Sequence, residues 1–126
     1  GERVVDLVGA TSIPEARAAI AALDVLVVND SALMHVAGTT DTPTIAVFGP
    51  TDPRTLCPRR PGVQAVWHPA APTPCYDDLT GAVRACVAPC CMARVTVDEV
   101  EALALRLLAE GAGRAVPGAG GRVTSP

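Results

Sequence analysis

The segment Asn29-Asp30-Ser31-Ala32-Leu33-Met34-His35 directly follows the apolar run Val25 to Val28. A carboxylate at the end of a buried strand, here Asp30, can bond sugar hydroxyls. The amides of Ser31, Ala32 and Leu33 would open the next helix. They would point outward at its positive end and hold a phosphate without a lysine. His35 comes four residues after Ser31, one turn further along and on the same side. The plainer alternative makes Asp30 an N-cap and His35 a satisfied helix histidine.

Gly49-Pro50-Thr51-Asp52-Pro53 follows the next apolar run, Thr44 to Phe48. In a parallel sheet this loop lies beside Asp30 across the same rim, where open α/β sheets bind ligands. Thr51 offers a hydroxyl and amides to phosphate or sugar. Taken alone the loop is an ordinary turn, for which Gly, Pro and Asp are common; two polar turns on adjacent strand ends point to a shared ligand. Thr11-Ser12 could edge the same cleft or simply cap a helix. Cys75, Cys86, Cys90 and Cys91 share one window, but the spacing departs from the repeated close pairs of a zinc site. Buried free thiols are the simpler reading, and no metal site is expected. The adjacent Asp77-Asp78 read as solvated loop carboxylates. No nucleophile elbow, P-loop or dinucleotide fingerprint is present.

These residues need elements to position them. Arg3 to Val8 reads as a strand ending at Gly9. Thr11 to Glu15 reads as a helix start, with Ser12 or Thr11 as cap and Pro14 in the first turn. That helix should run to about Leu23, with Ile13, Ala16, Ala19, Ile20 and Leu23 as its apolar stripe. Val25 to Val28 reads as a strand buried on both faces. A helix follows to about Gly38, then a buried strand over Thr44 to Phe48 and a rigid turn through Pro53. Beyond Arg54 the chain is Pro-rich and irregular, with a short strand over Val63 to Trp67. Thr96 to Glu110 reads as an amphipathic helix capped by Thr96, with Glu99 completing a capping box and Val100, Leu103, Leu107 and Leu108 as its core face. The alternation implies an α/β domain over residues 1–110 with a parallel sheet and right-handed crossovers. Residues 111–126, rich in Gly, Pro and Ser, read as a disordered tail.

The 126 residues suffice for one domain with a core. A net charge of -3, with ten arginines and no lysine, argues against a nucleic-acid partner. No apolar run is long enough for a transmembrane helix. The start, GERVVDLVG, lacks a signal-peptide layout and reads as if cut from something longer. Without a secretory context, five cysteines point away from a disulfide framework.

Asn29-Asp30-Ser31-x-x-Met34-His35-Val36-Ala37, followed by Thr42-Pro43-Thr44-x-x-x-Phe48-Gly49-Pro50-Thr51-Asp52-Pro53, closely resembles the donor-side motif of the heptosyltransferase-like glycosyltransferases, glycosyltransferase family 9. Pro74-Cys75-Tyr76, Cys91-Met92, Val95 and the final helix resemble the downstream part of many members. The resemblance covers roughly Leu7 to Leu108. It implies a partial Rossmann-like parallel sheet with flanking helices, the C-terminal half of a GT-B architecture truncated at its N-terminus. That half holds a nucleotide-sugar, typically ADP-heptose. The other half holds a lipopolysaccharide core acceptor, a lipid-linked saccharide, together with the catalytic base, so no catalytic residue is expected in this chain.

By the same resemblance, Asp30 would contact the donor sugar. The Ser31, Ala32 and Leu33 amides would hold the diphosphate with His35, and Thr11 would line the nucleotide pocket. The implied reaction is inverting glycosyl transfer by direct displacement, needing no metal or further cofactor. The implied location is the cytoplasm, including the inner face of the bacterial inner membrane. One departure stands out: the family usually has Gly where this chain has Ala32, and a methyl there narrows the approach of phosphate to the backbone. Two alternatives stay open: a non-catalytic remnant or interaction module of the same fold, and a cysteine-centred metal-binding module.

Overall fold

The computed structural model describes residues 4–70, 74–76, 80–81 and 90–112. Three parallel strands, β1 (Leu26–Asn29), β2 (Thr44–Val47) and β3 (Val63–Val66), form a sheet in the order β1-β2-β3. The register pairs Leu26 with Thr44 and Thr44 with Val63, so the three carboxyl ends come level at Asn29, Val47 and Val66. Helices α1 (Ile13–Ala21) and α2 (Ala32–Ala37) precede β2. One-turn helices α3 (Pro53–Leu56) and α4 (Cys90–Ala93) and the long α5 (Val97–Ala112) follow it. This is the parallel α/β arrangement expected from the alternation of elements.

Side chains along the strands alternate between the two faces of the sheet, as a pleat requires. Val28, Ala46 and Phe48 face one side and pack with Met34 of α2, joined by Leu56, Cys57 and Trp67. Ile45 and Val66 face the other side and pack against Leu107 of α5, joined by Val100, Leu103 and Ala104. Helices thus cover both faces of β2, whose Thr44, Ile45 and Ala46 are fully buried.

Several local expectations are corrected. Val25 to Val28 was expected to be buried on both faces, but β1 is a sheet edge and Val27 is 48% exposed. The reason lies in α5, which packs over Ile45 and Val66 but leaves Val27 outside its cluster. The expected first strand does not form over Val4 to Val8. Asp6 Oδ1 accepts from the Val8 amide at 2.9 Å and Ala10 N–H bonds Leu7 O, closing a turn at Gly9, whose φ is +68°. Local partners therefore take amides that a sheet would need; Arg3 lies outside the described residues. In α1 only Ile20 is buried, while Ile13 and Leu23 of the expected stripe are exposed.

The turn expected through Pro53 continues into α3, capped by the Asp52 carboxylate on Arg54 N–H. At α5, Thr96 Oγ1 accepts from Glu99 N–H at 3.2 Å as expected. The Glu99 carboxylate, however, turns away from the box to His68 Nε2, 2.8 and 3.0 Å away. Leu108 is exposed rather than part of the core face, and α5 runs on through Ala112. Cys86, Asp77, Asp78 and the remainder of the expected tail lie outside the described residues.

Candidate functional site

The level carboxyl ends of β1 and β2 put the two polar loops side by side. Asp30 follows β1 directly, and its N–H bonds Val47 O at 3.1 Å, which ties its backbone to β2. Its side chain crosses to the neighbouring loop: Thr51 Oγ1 donates to Asp30 Oδ2 at 2.6 Å. That length is typical of a hydroxyl on an ionised carboxylate. The plainer alternative, Asp30 as the N-cap of α2, does not hold: Ser31 stands at the N-cap position, without a side-chain bond, and the Asp30 carboxylate goes to Thr51.

Ala32 and Leu33 begin α2, and Met34 N–H is the first to bond back, to Ser31 O at 3.0 Å. The amides of the first helical turn have no intrahelical acceptor. α2 is anchored at this angle by Met34, which is fully buried beneath the rim. His35 is exposed on α2. Gly38 closes the helix against Pro58: a Cβ there would lie 2.8 Å from Pro58 Cβ and 3.1 Å from His35 O.

Thr51 was expected to offer its hydroxyl to a ligand. It is buried, 7% exposed, and its proton goes to Asp30. Thr11 does not reach Asp30 or Thr51 but shares a groove with Leu33 of α2. It lines an apolar groove of about 600 Å³ with Val5, Leu7, Leu23 and Leu33, and neither Asp30 nor Thr51 lines that groove. Ser12 is taken up by its own helix, since its N–H and Oγ both bond Glu15 Oε2, at 2.8 and 2.6 Å. Those bonds hold the Glu15 carboxyl below its ordinary range.

Sequence reasoning missed the supports of the Gly49–Thr51 loop. Trp67 Nε1 donates to Gly49 O at 3.2 Å. Pro50 O accepts from Cys75 N–H at 2.9 Å and from Tyr76 N–H at 3.3 Å. Met92 packs so closely on Gly49 that an added Cβ would lie 2.7 Å from its sulfur. On the next turn Asp52 takes up Arg54, with Nη2 to Oδ2 at 2.6 Å, and the Arg54 guanidinium sits 5.8 Å over the Trp67 ring. The Arg54 hydrogen bond holds the Asp52 carboxyl below its usual value and raises that of Arg54.

Cys57, set apart in the sequence, sits near this rim. Burial and then the charge of Asp30 push its thiol above the ordinary value. Cys75 and Cys91 are buried free thiols, and Cys57 and Cys90 are partly buried free thiols. No group of three metal-binding side chains occurs among the described residues. No described helix is long and apolar enough to cross a membrane.

The arrangement therefore offers one oriented carboxylate, the amides that open α2 beside it, which have no acceptor among the described residues, and an exposed imidazole one turn further on. Residues 1–82 match the family profile of Glycosyltransferase family 9 (heptosyltransferase). Over 53 residues the chain is 45% identical to Lipooligosaccharide heptosyltransferase 2 of Haemophilus influenzae, covering 42% of this chain and 15% of that protein. Over 48 residues it is 46% identical to Lipopolysaccharide heptosyltransferase 2 of Salmonella typhimurium, covering 38% and 14%. The protein of the same description from Escherichia coli is 44% identical over 48 residues, again 38% and 14%. The aligned part thus spans no more than 15% of the length of these relatives. No solved structure matches the chain. Because the family match runs over more than half of its residues, this chain belongs to glycosyltransferase family 9.

Proposed function

We propose that this chain supplies the donor-binding part of an inverting glycosyltransferase, holding a nucleotide-sugar such as ADP-heptose for transfer to a lipopolysaccharide core acceptor. The observation that supports it most directly is the Asp30–Thr51 bond at the level ends of β1 and β2, beside the amides that open α2. In this reading the Asp30 carboxylate accepts from hydroxyls of the donor sugar. The Ser31, Ala32 and Leu33 amides and His35 meet the diphosphate. Hydrogen-bond donors fixed before the reaction stabilise charge that develops on a leaving group, without reorganising as it forms. The diphosphate then departs onto amides rather than a metal ion. The base that deprotonates the acceptor hydroxyl comes from an N-terminal acceptor domain of the complete enzyme, so the chain by itself has no turnover.

A titration of the purified chain with ADP, with UDP in parallel and amide NMR as readout, tests this. Saturable shifts at Ser31 to His35 and around Thr51 are expected, with ADP the tighter ligand. A folded chain whose amides do not respond to millimolar nucleotide overturns the reading. It would favour instead a non-catalytic module of the same fold, a reading supported by the Ala32 methyl and by the exposed apolar groove.

A further inference from the structure

We propose that Thr51 is a positioning residue: from a loop clamped on three sides, its hydroxyl holds the Asp30 carboxylate in one orientation at the rim. What the oriented carboxylate meets rests on the donor-binding reading above; the orientation itself does not.

An aspartate on an open strand end is ordinarily free to turn about two side-chain torsions. Here Asp30 has its backbone fixed by the bond to Val47 O and one carboxylate oxygen fixed by Thr51. Among the described residues Thr51 is the sole side-chain donor to that carboxylate. A donor orients an acceptor only if it is itself held. Thr51 is β-branched, which restricts its χ1, and it is buried. Its loop is pinned at successive residues by bonds to different parts of the chain. Gly49 O is held from the end of β3 by Trp67, and Pro50 O from the downstream segment by the Cys75 and Tyr76 amides. Met92 closes over Gly49 from α4.

These contacts give a role to the Cys75-Tyr76 and Cys91-Met92 segments, which bring no side-chain chemistry to the rim. They are buttresses of the loop that carries Thr51. The chain of support runs from α4 and the downstream segment through Gly49 and Pro50 to Thr51, and from Thr51 to Asp30. One carboxylate oxygen is thereby occupied, and the other, with no donor among the described residues, is left to accept from a ligand hydroxyl.

The test compares wild type with Thr51→Val, Thr51→Ala and Thr51→Ser. Hα–Hβ and N–Hβ couplings of Asp30 in the ligand-free chain give its rotamer population. A single Asp30 rotamer is expected in wild type and Thr51→Ser, and rotamer averaging in Thr51→Val and Thr51→Ala, with the rest of the amide spectrum unchanged. An Asp30 already averaged in wild type, or still single in Thr51→Ala or Thr51→Val, overturns the proposal.

The second readout is affinity for ADP-heptose against ADP. Loss of the oriented carboxylate should weaken ADP-heptose about tenfold while ADP stays within about twofold, with Thr51→Ser restoring the difference. Equal weakening of both ligands would mean a merely structural role and would overturn the proposal. If wild type binds neither ligand, the donor reading fails, and the rotamer measurement still decides whether Thr51 positions Asp30.

Discussion

Asp30 illustrates how a residue changes role when a second loop comes within reach. As a free side chain it would cap α2. With a buried hydroxyl 2.6 Å away it becomes a fixed anionic group. Its charge also reaches Cys57, whose thiol is raised first by burial and then by that carboxylate. A raised thiol value means less thiolate, and so slower alkylation, at any pH below it. Wild-type Cys57 should react with iodoacetamide more slowly than an unperturbed thiol at pH 8. Asp30→Asn removes the charge but keeps an acceptor for Thr51, so it should speed the reaction, with the slowing due to burial remaining. Peptide mass spectrometry of Cys57 against pH reads this directly; an unchanged rate would mean that Asp30 exerts no field at Cys57. The sequence singled out the Asp30 carboxylate but not its partner, because Asp30 and Thr51 are twenty-one residues apart and meet only through sheet register.

At the scale of the elements, two glycines close the segments that bear the site, and they differ in what surrounds them. An added Cβ at Gly38 meets the Pro58 ring at 2.8 and 2.9 Å and a backbone carbonyl at 3.1 Å. Neither neighbour can rotate away. At Gly49 it meets only the far end of Met92, a flexible and 43% exposed side chain that can yield locally while still covering the loop. Gly38→Ala should therefore destabilise by about 1–3 kcal/mol in chemical denaturation, and Gly49→Ala by about 1 kcal/mol or less. The reverse order would contradict the packing described for the two turns. Most element positions were legible in the sequence, since β2 is a continuous apolar run and α5 carries a strong helical period. Where reading failed, the cause was competition for a group. Glu99 left its capping box for His68, and the amides near Val8 bonded a local carboxylate and turn instead of a strand.

For the whole molecule, the distribution of cover decides what stays open. α5 shields Ile45 and Val66 but not Val27, so one face of β1 remains exposed. The groove between the leading segment, α1 and Leu33 exposes further apolar surface. Apolar patches of this kind bind hydrophobic dyes and partners. The chain should bind anilinonaphthalene sulfonate in its folded state. Val5→Thr with Leu23→Gln should weaken that binding while changing stability by roughly 0.5 kcal/mol or less, since both side chains are exposed. Dye binding unaffected by the pair would place the accessible apolar surface elsewhere.

The sequence by itself determined the α/β alternation, the family and the two loops at the strand ends, because each is written in local patterning and contiguous motifs. The tertiary structure alone decided that Asp30 is held by Thr51, that Thr11 shares an apolar groove with Leu33 and that Trp67, Cys75, Tyr76 and Met92 brace the Gly49–Thr51 loop. Those relations join residues distant along the chain. They depend on parallel register and on which helix covers which strand, and no local pattern encodes either.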